Sequence, residues 1–464
     1  MGILHDDVVI INPAEGEGDS RVITVNCPDK AGLGCDLCRI ILFFGLNIVR
    51  GDVSTDGKWC YVVFWVVGNS TTRWNLLKKR LVAVCPSCFS ASGISFYRTE
   101  SQPPKPPDVF LLKFCCNDRR GLLHDVTGVL CELELTIKKV KVSTTPEGKV
   151  MDLFFITDTR ELLHTKKRQE DTCSRLVDVV GDAIISCDIS MVGPEITACS
   201  QTASFLPSAI TEDLFELEVP NKLPSGILTS DSISVTMDNS LSPAHTLVQL
   251  VCKDHKGLLY DIMRTVKDYN TKISYGRFSI KQRGNCEIDL FIVQADGKKI
   301  VDPSKQNALS SRLRMELDGD NCLMISYGRF SIKQRGNCEI DLFIVQADGK
   351  KIVDPSKQNA LSSRLRMELF RPLKVAVVSR GPDTELLVAN PVELSGKGRP
   401  LVFHDITLAL KMLNTCIFSA EIGRHVIGDR EYEVYRVLLD EGDGFSVPRN
   451  KIEEGVWKML MGWA

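Results

Sequence analysis

Three segments of the chain combine residue types that could hold a small ligand carrying both charges. Each segment reads Asp-x-x-Gly-Leu-x-x-Asp, and the three begin at Asp29, Asp118 and Asp254. An apolar run precedes each motif and an amphipathic pattern follows it, which places the glycine at a strand-to-helix turn. The N–H groups of a helix's first turn bind carboxylates, glycine lets a ligand approach the backbone, and the aspartate could receive an ammonium group. Three such turns predict a sensor with several pockets rather than an enzyme with one catalytic centre.

The first aspartate, the glycine and the leucine of each motif are the predicted ligand-binding residues. They are Asp29, Gly32, Leu33, Asp118, Gly121, Leu122, Asp254, Gly257 and Leu258. A purely structural role is the alternative, because aspartate is a preferred N-cap, glycine suits tight helix–strand packing and leucine suits a core. The second aspartate of each motif lies one turn into the helix, where its charge favours the helix dipole. We therefore interpret Asp36, Asp125 and Asp261 as structural.

The elements around the three motifs recur in one order. A strand precedes the motif, a helix with one apolar face follows it, and two further strands are joined by a short turn. A second helix comes next, and the first two units then have a closing strand. The predicted first strands are Val22–Asn26, Phe110–Cys115 and Thr246–Cys252, and the predicted closing strands are Ile94–Arg98 and Ser186–Val192. Each unit therefore reads β-α-β-β-α-β, the split βαβ arrangement of the ferredoxin-like fold.

This order of elements, with the Asp-x-x-Gly-Leu turn, resembles the ACT domain, an amino-acid-sensing module of metabolic regulation. Four such units without a catalytic domain resemble the plant ACT-domain-repeat family. The resemblance implies an α+β chain of tandem ferredoxin-like ACT domains that binds free amino acids, catalyses no reaction and self-associates through its modules. The predicted division is an N-terminal tail at 1–20, modules at 21–98, 109–192, 245–378 and 384–464, a Pro-rich linker at 99–108 and a longer linker at 193–244.

The fourth module diverges from the other three. The segment FHDITLALKML, which begins at Phe403, resembles LHDVTGVLCEL of the second module. Aligning the two puts Gly398 at the position of Asp118 and Leu401 at the position of Gly121. The motif is therefore incomplete, and we predict no ligand site in this module.

Two linkers organise the modules. The segment SQPPKPP at 101–107 is a stiff, extended spacer between the first two modules. The segment 193–243 is longer, is rich in Ser, Thr and Pro, and separates the second module from the third. We expect the chain to divide into two pairs of modules, because neighbouring modules can join their open sheet edges.

One segment of the third module occurs twice. Ile273–Leu317 is repeated without a change at Ile325–Leu369, and it supplies the second strand, the third strand and the second helix. Only one first strand, Thr246–Cys252, and one closing strand, Leu373–Val378, exist for both copies. The copies are therefore expected to compete for the same partners. An error in the gene assembly and a genuine recent duplication both explain the repeat.

Composition excludes several classes of function. The 464 residues contain 57 Lys and Arg against 59 Asp and Glu, a net charge of −2, so no attraction to nucleic acid or membrane is expected. No run reaches the length of a membrane-spanning helix, and no signal peptide opens the sequence. The 17 cysteines lie mostly within predicted strands and helices, which favours reduced thiols in a cytoplasmic or nuclear protein.

Other chemistry has weaker support. His124-Asp125 and His404-Asp405 resemble the paired ligands of metal phosphohydrolases, but the chain has only 7 histidines. Cys35-x-x-Cys38 and Cys85-Pro-Ser-Cys88 have a zinc-like spacing, which does not recur in the other modules. We therefore predict no metal, no cofactor and no catalytic residue.

Three further functions share parts of this pattern. ACT-like modules could form a scaffold that mediates association and binds no ligand. Similar tandem modules also form the sensory half of bacterial nitrogen-sensing enzymes, but this sequence has no additional catalytic region. RNA-binding RRM domains share the order of elements, but the strand YVVFWVV at Tyr61–Val67 lacks the basic, Gly-containing pattern that they require.

Overall fold

We describe a computed structural model of the whole chain. The described residues are 8–14, 20–55, 58–68, 70–86, 108–145, 147–158, 160, 162–192, 206, 211, 214–215, 234–238, 245–252, 254–268, 271–281, 285–293, 338–346, 365, 373–380, 383–427, 430–440 and 447–462. The chain forms two compact units, one from Met1–Phe96 with Leu223–Pro372 and the other from Tyr97–Lys222 with Leu373–Ala464. No helix in the described part of the chain combines the length and the apolar character needed to span a bilayer.

The second module follows the predicted order of elements, whereas the first begins with an additional strand inside the predicted N-terminal tail at 1–20. The first contains β1 (Val9–Pro13), β2 (Ser20–Pro28), α1 (Leu33–Phe43), β3 (Asn47–Thr55), β4 (Trp59–Val67) and α2 (Trp74–Val84). The second contains β5 (Phe110–Asn117), α3 (Leu122–Glu132), β6 (Leu135–Thr144), β7 (Lys149–Asp158), α4 (Lys166–Val180) and β8 (Ile184–Met191). Alternate residues of β5 are buried, as expected for a strand with helices on one face only.

The last two modules contain the same kinds of elements, although the predicted second helix of the third module lies outside the described residues. The third contains β9 (Ser234–Asp238), β10 (His245–Cys252), α5 (Leu258–Asp268), β11 (Thr271–Lys281), β12 (Asn285–Val293) and β13 (Cys338–Gln346). The fourth contains β14 (Lys374–Arg380), β15 (Asp383–Pro391), α6 (Val402–Met412), β16 (Cys416–Ile427), β17 (Arg430–Asp440) and α7 (Arg449–Met461). The predicted α+β class with ferredoxin-like modules is confirmed.

The modules pair within the chain, but alternate modules are the partners. In the first unit the described strands follow the order β1-β2-β4-β3-β11-β12-β13-β10-β9, so β3 and β11 join the first module to the third. In the second unit the order is β14-β15-β17-β16-β6-β7-β5-β8, so β16 and β6 join the fourth module to the second. A linker limits only the distance between modules, whereas edge pairing and helix packing decide which modules associate. The long linker therefore does not mark the boundary between the pairs.

Corresponding residues of the paired modules meet at the centre of each interface. In the second unit the hydroxyls of Thr127 and Thr407 are 3.1 Å apart, and the rings of His124 and His404 are 4.7 Å apart between centroids. The alignment of the two helices makes these residues equivalent, so the pair has an approximate two-fold axis.

The strand beside the first strand of a module has two different origins. In the second module it is the closing strand, because β8 pairs with β5 as predicted. In the other modules it precedes the first strand: β1 pairs with β2, β9 with β10 and β14 with β15. The segment Leu373–Val378, expected to close the third module, therefore lies in the sheet of the fourth. The expected closing strand Ile94–Arg98 falls outside the described residues.

The duplicated segment places both copies of its third strand in one sheet. The identical strands β12 and β13 lie side by side and parallel, with Cys286 opposite Cys338. The first strand β10 pairs with β13 from Thr246 to Cys252 and with β12 only at His245. The sheet contains both copies of this strand, and β13 takes nearly all of the pairing with β10. The other elements of the second copy lie outside the described residues.

Candidate functional site

The glycine of every motif has the backbone conformation that favours glycine. Gly32, Gly121 and Gly257 have φ angles of 78°, 75° and 84°, in the left-handed region where a side chain is strained. Gly32 and Gly121 directly precede α1 and α3 and act as N-caps without a side-chain hydrogen bond. The N-cap residue of α3 is thus Gly121 itself, and the Asp118 N–H donates to the Gly148 carbonyl at 2.8 Å.

A lysine from the partner module lies over two of these glycines. A Cβ added to Gly121 would lie 2.8 Å from Cδ of Lys411 on α6. A Cβ added to Gly32 would lie 2.8 Å from Cδ of Lys267 on α5. These positions require glycine for a second reason, because any side chain would displace the lysine. The equivalent residues of α1 and α3 are Leu42 and Cys131, so only the third and fourth modules contribute this cation.

The lysine continues to the second aspartate of the motif. Lys411 Nζ donates to Asp125 at 2.8 Å, and Arg119 contacts the other oxygen of the carboxylate at 2.7 Å. Burial alone would raise the pKa of Asp125, but the hydrogen bonds from Lys411 and Arg119 lower it. In the first unit Lys267 Nζ lies 3.4 Å from Asp36. These aspartates hold the partner module's lysine in place, which agrees with their interpretation as structural residues.

The cleft beside Gly121 brings several of the predicted residues together. Its lining includes Asp118, Gly121 and Leu122 of the motif and Lys411 of the fourth module. Leu122 is only 3% exposed and belongs to the core, as do Leu33 and Leu258. A direct role in binding therefore remains a prediction for all three leucines, whereas Asp118 is exposed and the backbone of Gly121 lies at the cleft.

A buried carboxylate that the motif does not contain also lines this cleft. Asp152 on β7 is 1% exposed, and neither of its oxygens has a hydrogen-bond partner within the described residues. Burial and the nearby charge of Asp118 raise the pKa of Asp152 well above its usual range. Buried polar groups are almost always hydrogen bonded, so Asp152 is a candidate ligand-binding residue.

Two hydroxyl groups share this property. Thr144 Oγ1 and Thr415 Oγ1 are buried and have no hydrogen-bond partner among the described residues, and both residues line the cleft. Thr144 ends β6 of the second module, and Thr415 precedes β16 of the fourth. Three buried polar groups from two modules therefore face one small space.

The cleft is small in this structure. Its free space is about 30 Å³, which is enough for about one water molecule. The Lys411 side chain is 42% exposed and lies over Gly121, so a movement of this side chain would enlarge the cleft. His124 also lines the space, and burial, His404 and Lys411 lower the pKa of its ring.

The signal for Asp152 is visible in the sequence. Val150, Asp152, Phe154 and Ile156 alternate along β7, and all four are buried. An aspartate on the core-facing side of a strand contradicts the apolar pattern of that side. Asp152 is not part of the repeated motif, because strand pairing places Val62 at the corresponding position in the first module.

The corresponding site of the fourth module is filled by its own side chains. Leu401 takes the left-handed conformation with φ 65° in place of glycine, and Tyr435 takes the position of Asp152. The Tyr435 hydroxyl donates to Glu433, and Asn390 Nδ2 donates to the same carboxylate at 3.3 Å. Burial raises the pKa of Tyr435 well above its usual range, so the hydroxyl remains a donor.

The remaining motif residues lie outside this arrangement. In the third module Asp261 is 1% exposed and lies 3.3 Å from Arg264, so it forms a buried ion pair. Asp29 is half-buried, and its N–H donates to the Lys58 carbonyl at 2.7 Å. Asp254 is half-buried at the start of its turn. Within the described residues, no group of three or more His, Cys, Asp or Glu side chains could hold a metal ion.

Four family descriptions match successive parts of the chain. "ACT domain-containing protein ACR10, N-terminal" matches residues 11–86, and "ACT domain" matches residues 110–174. "ACR9-like, ACT-like domain" matches residues 234–320 and again 318–383, so the double match falls on the duplicated segment. "ACT domain-containing protein ACR9, C-terminal" matches residues 384–462.

Full-length relatives agree with these matches. The chain is 60% identical to ACT domain-containing protein ACR10 of Arabidopsis thaliana and 48% identical to ACR9 of the same plant, with 100% of each chain covered. It is also 26% identical to a bifunctional uridylyltransferase/uridylyl-removing enzyme of Caulobacter vibrioides over 43% of this chain and 19% of that protein. The two full-length identities decide the assignment, and the chain belongs to the plant family of ACT-domain-repeat proteins.

Proposed function

We propose that the second module, together with Lys411 of the fourth, binds a free amino acid, and that the protein is a non-catalytic regulator of metabolism in the cytoplasm. The observation that carries the proposal is Asp152, a buried carboxyl group without a hydrogen-bond partner among the described residues. A free amino acid carries an ammonium and a carboxylate at adjacent positions. The lining of the cleft contains two acidic residues, Asp118 and Asp152, together with Lys411 and the start of α3.

The ammonium group would bind to the acidic residues of the cleft. Asp152 is buried in the cleft, and the charge of Asp118 is close enough to raise the pKa of Asp152. Leaving a buried polar group unpaired costs about 1–3 kcal/mol, and an ammonium group would remove that cost. A nearby cation also favours the ionised carboxylate, so a bound ammonium group would lower the raised pKa of Asp152.

The carboxylate would bind beside Gly121, at the start of α3. The first turn of a helix leaves N–H groups without an intrahelical partner, and the helix dipole favours a negative charge there. Lys411 is already held near this turn by Asp125 at 2.8 Å. We infer that Lys411 moves from above Gly121 when the ligand enters and that its ammonium then contacts the ligand carboxylate.

A ligand-free scaffold is the second candidate, and one observation favours it. The aliphatic part of Lys411 already fills the space over Gly121, so the glycine has a packing role without any ligand. The fourth module, in which Tyr435 takes the position of Asp152, also associates with the second module without a ligand. Self-association between chains belongs to this candidate, and light scattering of the purified protein measures it.

A thermal-shift screen of the proteinogenic amino acids separates the two candidates. At 100 times its dissociation constant a ligand adds about 2.7 kcal/mol to stability, which raises the melting temperature of the second unit by several degrees. The ligand-binding proposal requires at least one amino acid to do so at millimolar concentration. If none shifts the melting curve, the scaffold is the better description.

Two lysine variants locate the response. Lys411→Met keeps most of the side chain's length and removes its charge. The apparent affinity for the amino acid is therefore expected to fall by at least tenfold. Lys267→Met makes the same change in the first unit. It is the matched control, because it should leave binding in the second unit unchanged. Equal loss in both variants would contradict a site at Gly121.

A further inference from the structure

Two thiols of the second module lie close enough to react with each other. Cys173 on α4 and Cys187 on β8 are 14 residues apart in the chain, and Cys187 Sγ donates to Cys173 Sγ at 2.9 Å. Both side chains are half-buried, and both cysteines are free thiols in this structure. A disulfide bond is about 2.05 Å long, so the sulfur atoms need to approach by roughly 0.9 Å.

The pKa values of the two thiols are shifted in opposite directions. The hydrogen bond from Cys187 lowers the pKa of Cys173, although burial opposes this. The same hydrogen bond, together with burial, raises the pKa of Cys187. The thiolate is the reactive form of cysteine, so the lowered pKa of Cys173 favours this residue as the first nucleophile.

We propose that Cys173 and Cys187 are a reversible dithiol–disulfide site that small peroxides oxidise. The Cys173 thiolate attacks one peroxide oxygen, the O–O bond breaks, and the leaving hydroxide takes a proton to form water. Cys173 becomes a sulfenic acid. Cys187 then loses its proton and attacks the Cys173 sulfur, the S–O bond breaks, and a second water leaves. Two thiols and one hydrogen peroxide thus give one disulfide and two waters, and an external dithiol reverses the change.

The bond would join α4 to the edge strand β8, which lies beside the strand that leads into the motif. The edge strand β8 pairs with β5, and Cys187 lies opposite Phe114 on that strand. Asp118 and the motif follow directly after β5. Oxidation therefore ties α4 to β8, the strand that pairs with β5. The disulfide bond also closes a short loop in the unfolded chain. The oxidised protein is expected to melt at a higher temperature than the reduced one.

The test uses the full chain and hydrogen peroxide. The reduced protein is treated with peroxide, free thiols are alkylated, and the digest is mapped by mass spectrometry with and without a dithiol reductant. We expect a cross-linked peptide pair containing Cys173 and Cys187, two hydrogens lighter than the reduced pair and lost on reduction. Cys131 is the control within the same module, because burial raises its pKa to about 12. It should stay a reduced thiol during the peroxide treatment and then be found alkylated.

Two variants distinguish the order of reaction. In Cys187→Ser the sulfenic acid of Cys173 has no thiol to attack it, so dimedone should label Cys173 after peroxide treatment. In Cys173→Ser, dimedone should leave Cys187 unlabelled.

Two results would overturn the site. One is full alkylation of both cysteines after oxidation of the wild-type chain. The other is a disulfide that forms only between Cys27 and Cys85, a thiol pair that is hydrogen bonded in the first module.

Discussion

Replacing Asp152 by valine should stabilise the protein and abolish its amino-acid binding. Asp152 is 1% exposed, lines the cleft and has no hydrogen-bond partner among the described residues. Val62 occupies the corresponding strand position in the first module and is fully buried there. A valine at 152 therefore fits the backbone geometry of the strand and differs mainly in the removal of the carboxyl group.

The magnitude follows from two contributions of the same sign. Removing a buried polar group without a partner recovers about 1–3 kcal/mol, and burying the valine methyl groups adds about 1 kcal/mol. The sum is about 2–4 kcal/mol. For a unit of this size each kcal/mol changes the melting temperature by roughly 2–4 °C, so a rise of at least several degrees is expected.

The effect depends on pH with a sign fixed by the pKa of Asp152. Burial raises that pKa in the folded protein, so the folded state retains a proton that the unfolded chain releases. Stability linked to this proton is fully present below the unfolded pKa of about 3.9 and is lost as the pH rises through the folded value. The advantage of Asp152→Val over the wild type should therefore be larger at pH 8 than at pH 5.

A matched control exists on the same strand. Asp158 is also buried, at 3% exposure, but it accepts hydrogen bonds from Arg160 N at 2.9 Å and from Arg168 Nε at 3.4 Å. Asp158→Val should therefore destabilise the protein by about 3–5 kcal/mol, because it leaves buried partners unpaired. Calorimetry of both variants, with amino-acid titrations, tests the contrast. The reasoning about Asp152 is refuted if its valine variant melts below the wild type or binds amino acids as tightly.

Three further predictions follow from the same geometry. Gly121→Ala and Gly148→Ala both place a side chain at positive φ, and each should lower the free energy of unfolding by about 1–2 kcal/mol. Only Gly121→Ala displaces Lys411, so only this variant should weaken amino-acid binding in titration calorimetry. The pKa of Asp125 is lowered, so its contribution to stability is present above about pH 4 and is lost as the pH falls through the folded value. Acid-unfolding curves should therefore be shallower in Lys411→Met. Deleting Ile273–Met324 leaves one copy of each element, and the shortened chain should melt at the same temperature or higher. A melting temperature well below that of the full chain would show that both copies are needed.

The turn motif was predictable because its chemistry is local. A left-handed backbone before a helix favours glycine whatever surrounds it, so Gly32, Gly121 and Gly257 reveal their conformation in the sequence. Leu401 was assigned to the same position only by alignment, and it keeps the same conformation with φ 65°. The order of strands and helices was predictable for the same reason, since each depends on periodicity within a short segment.

The cation of the site was not predictable, because it depends on which modules pair. Lys411 is far from Gly121 in the chain and reaches it only because β16 pairs with β6. The strand registers place oppositely charged residues at the centres of both interfaces, Asp52 with Arg277 and Lys141 with Glu421. Pairing of the first module with the fourth would bring Asp52 to Glu421, which like charges disfavour. These charges become informative only once the sheet edges that meet are known.

Fusing the modules into one chain allows the two members of a pair to differ. A symmetric pair of identical modules would contain two identical sites, each with a glycine turn and each covered by the partner's helix. Here the second module keeps Gly121 and receives Lys411, whereas the fourth has Leu401 and fills its own position with Tyr435. The reciprocal helix position is Cys131, which supplies no cation. One module of the second unit thus carries the candidate site and the other completes it, an asymmetry that a pair of identical modules cannot have.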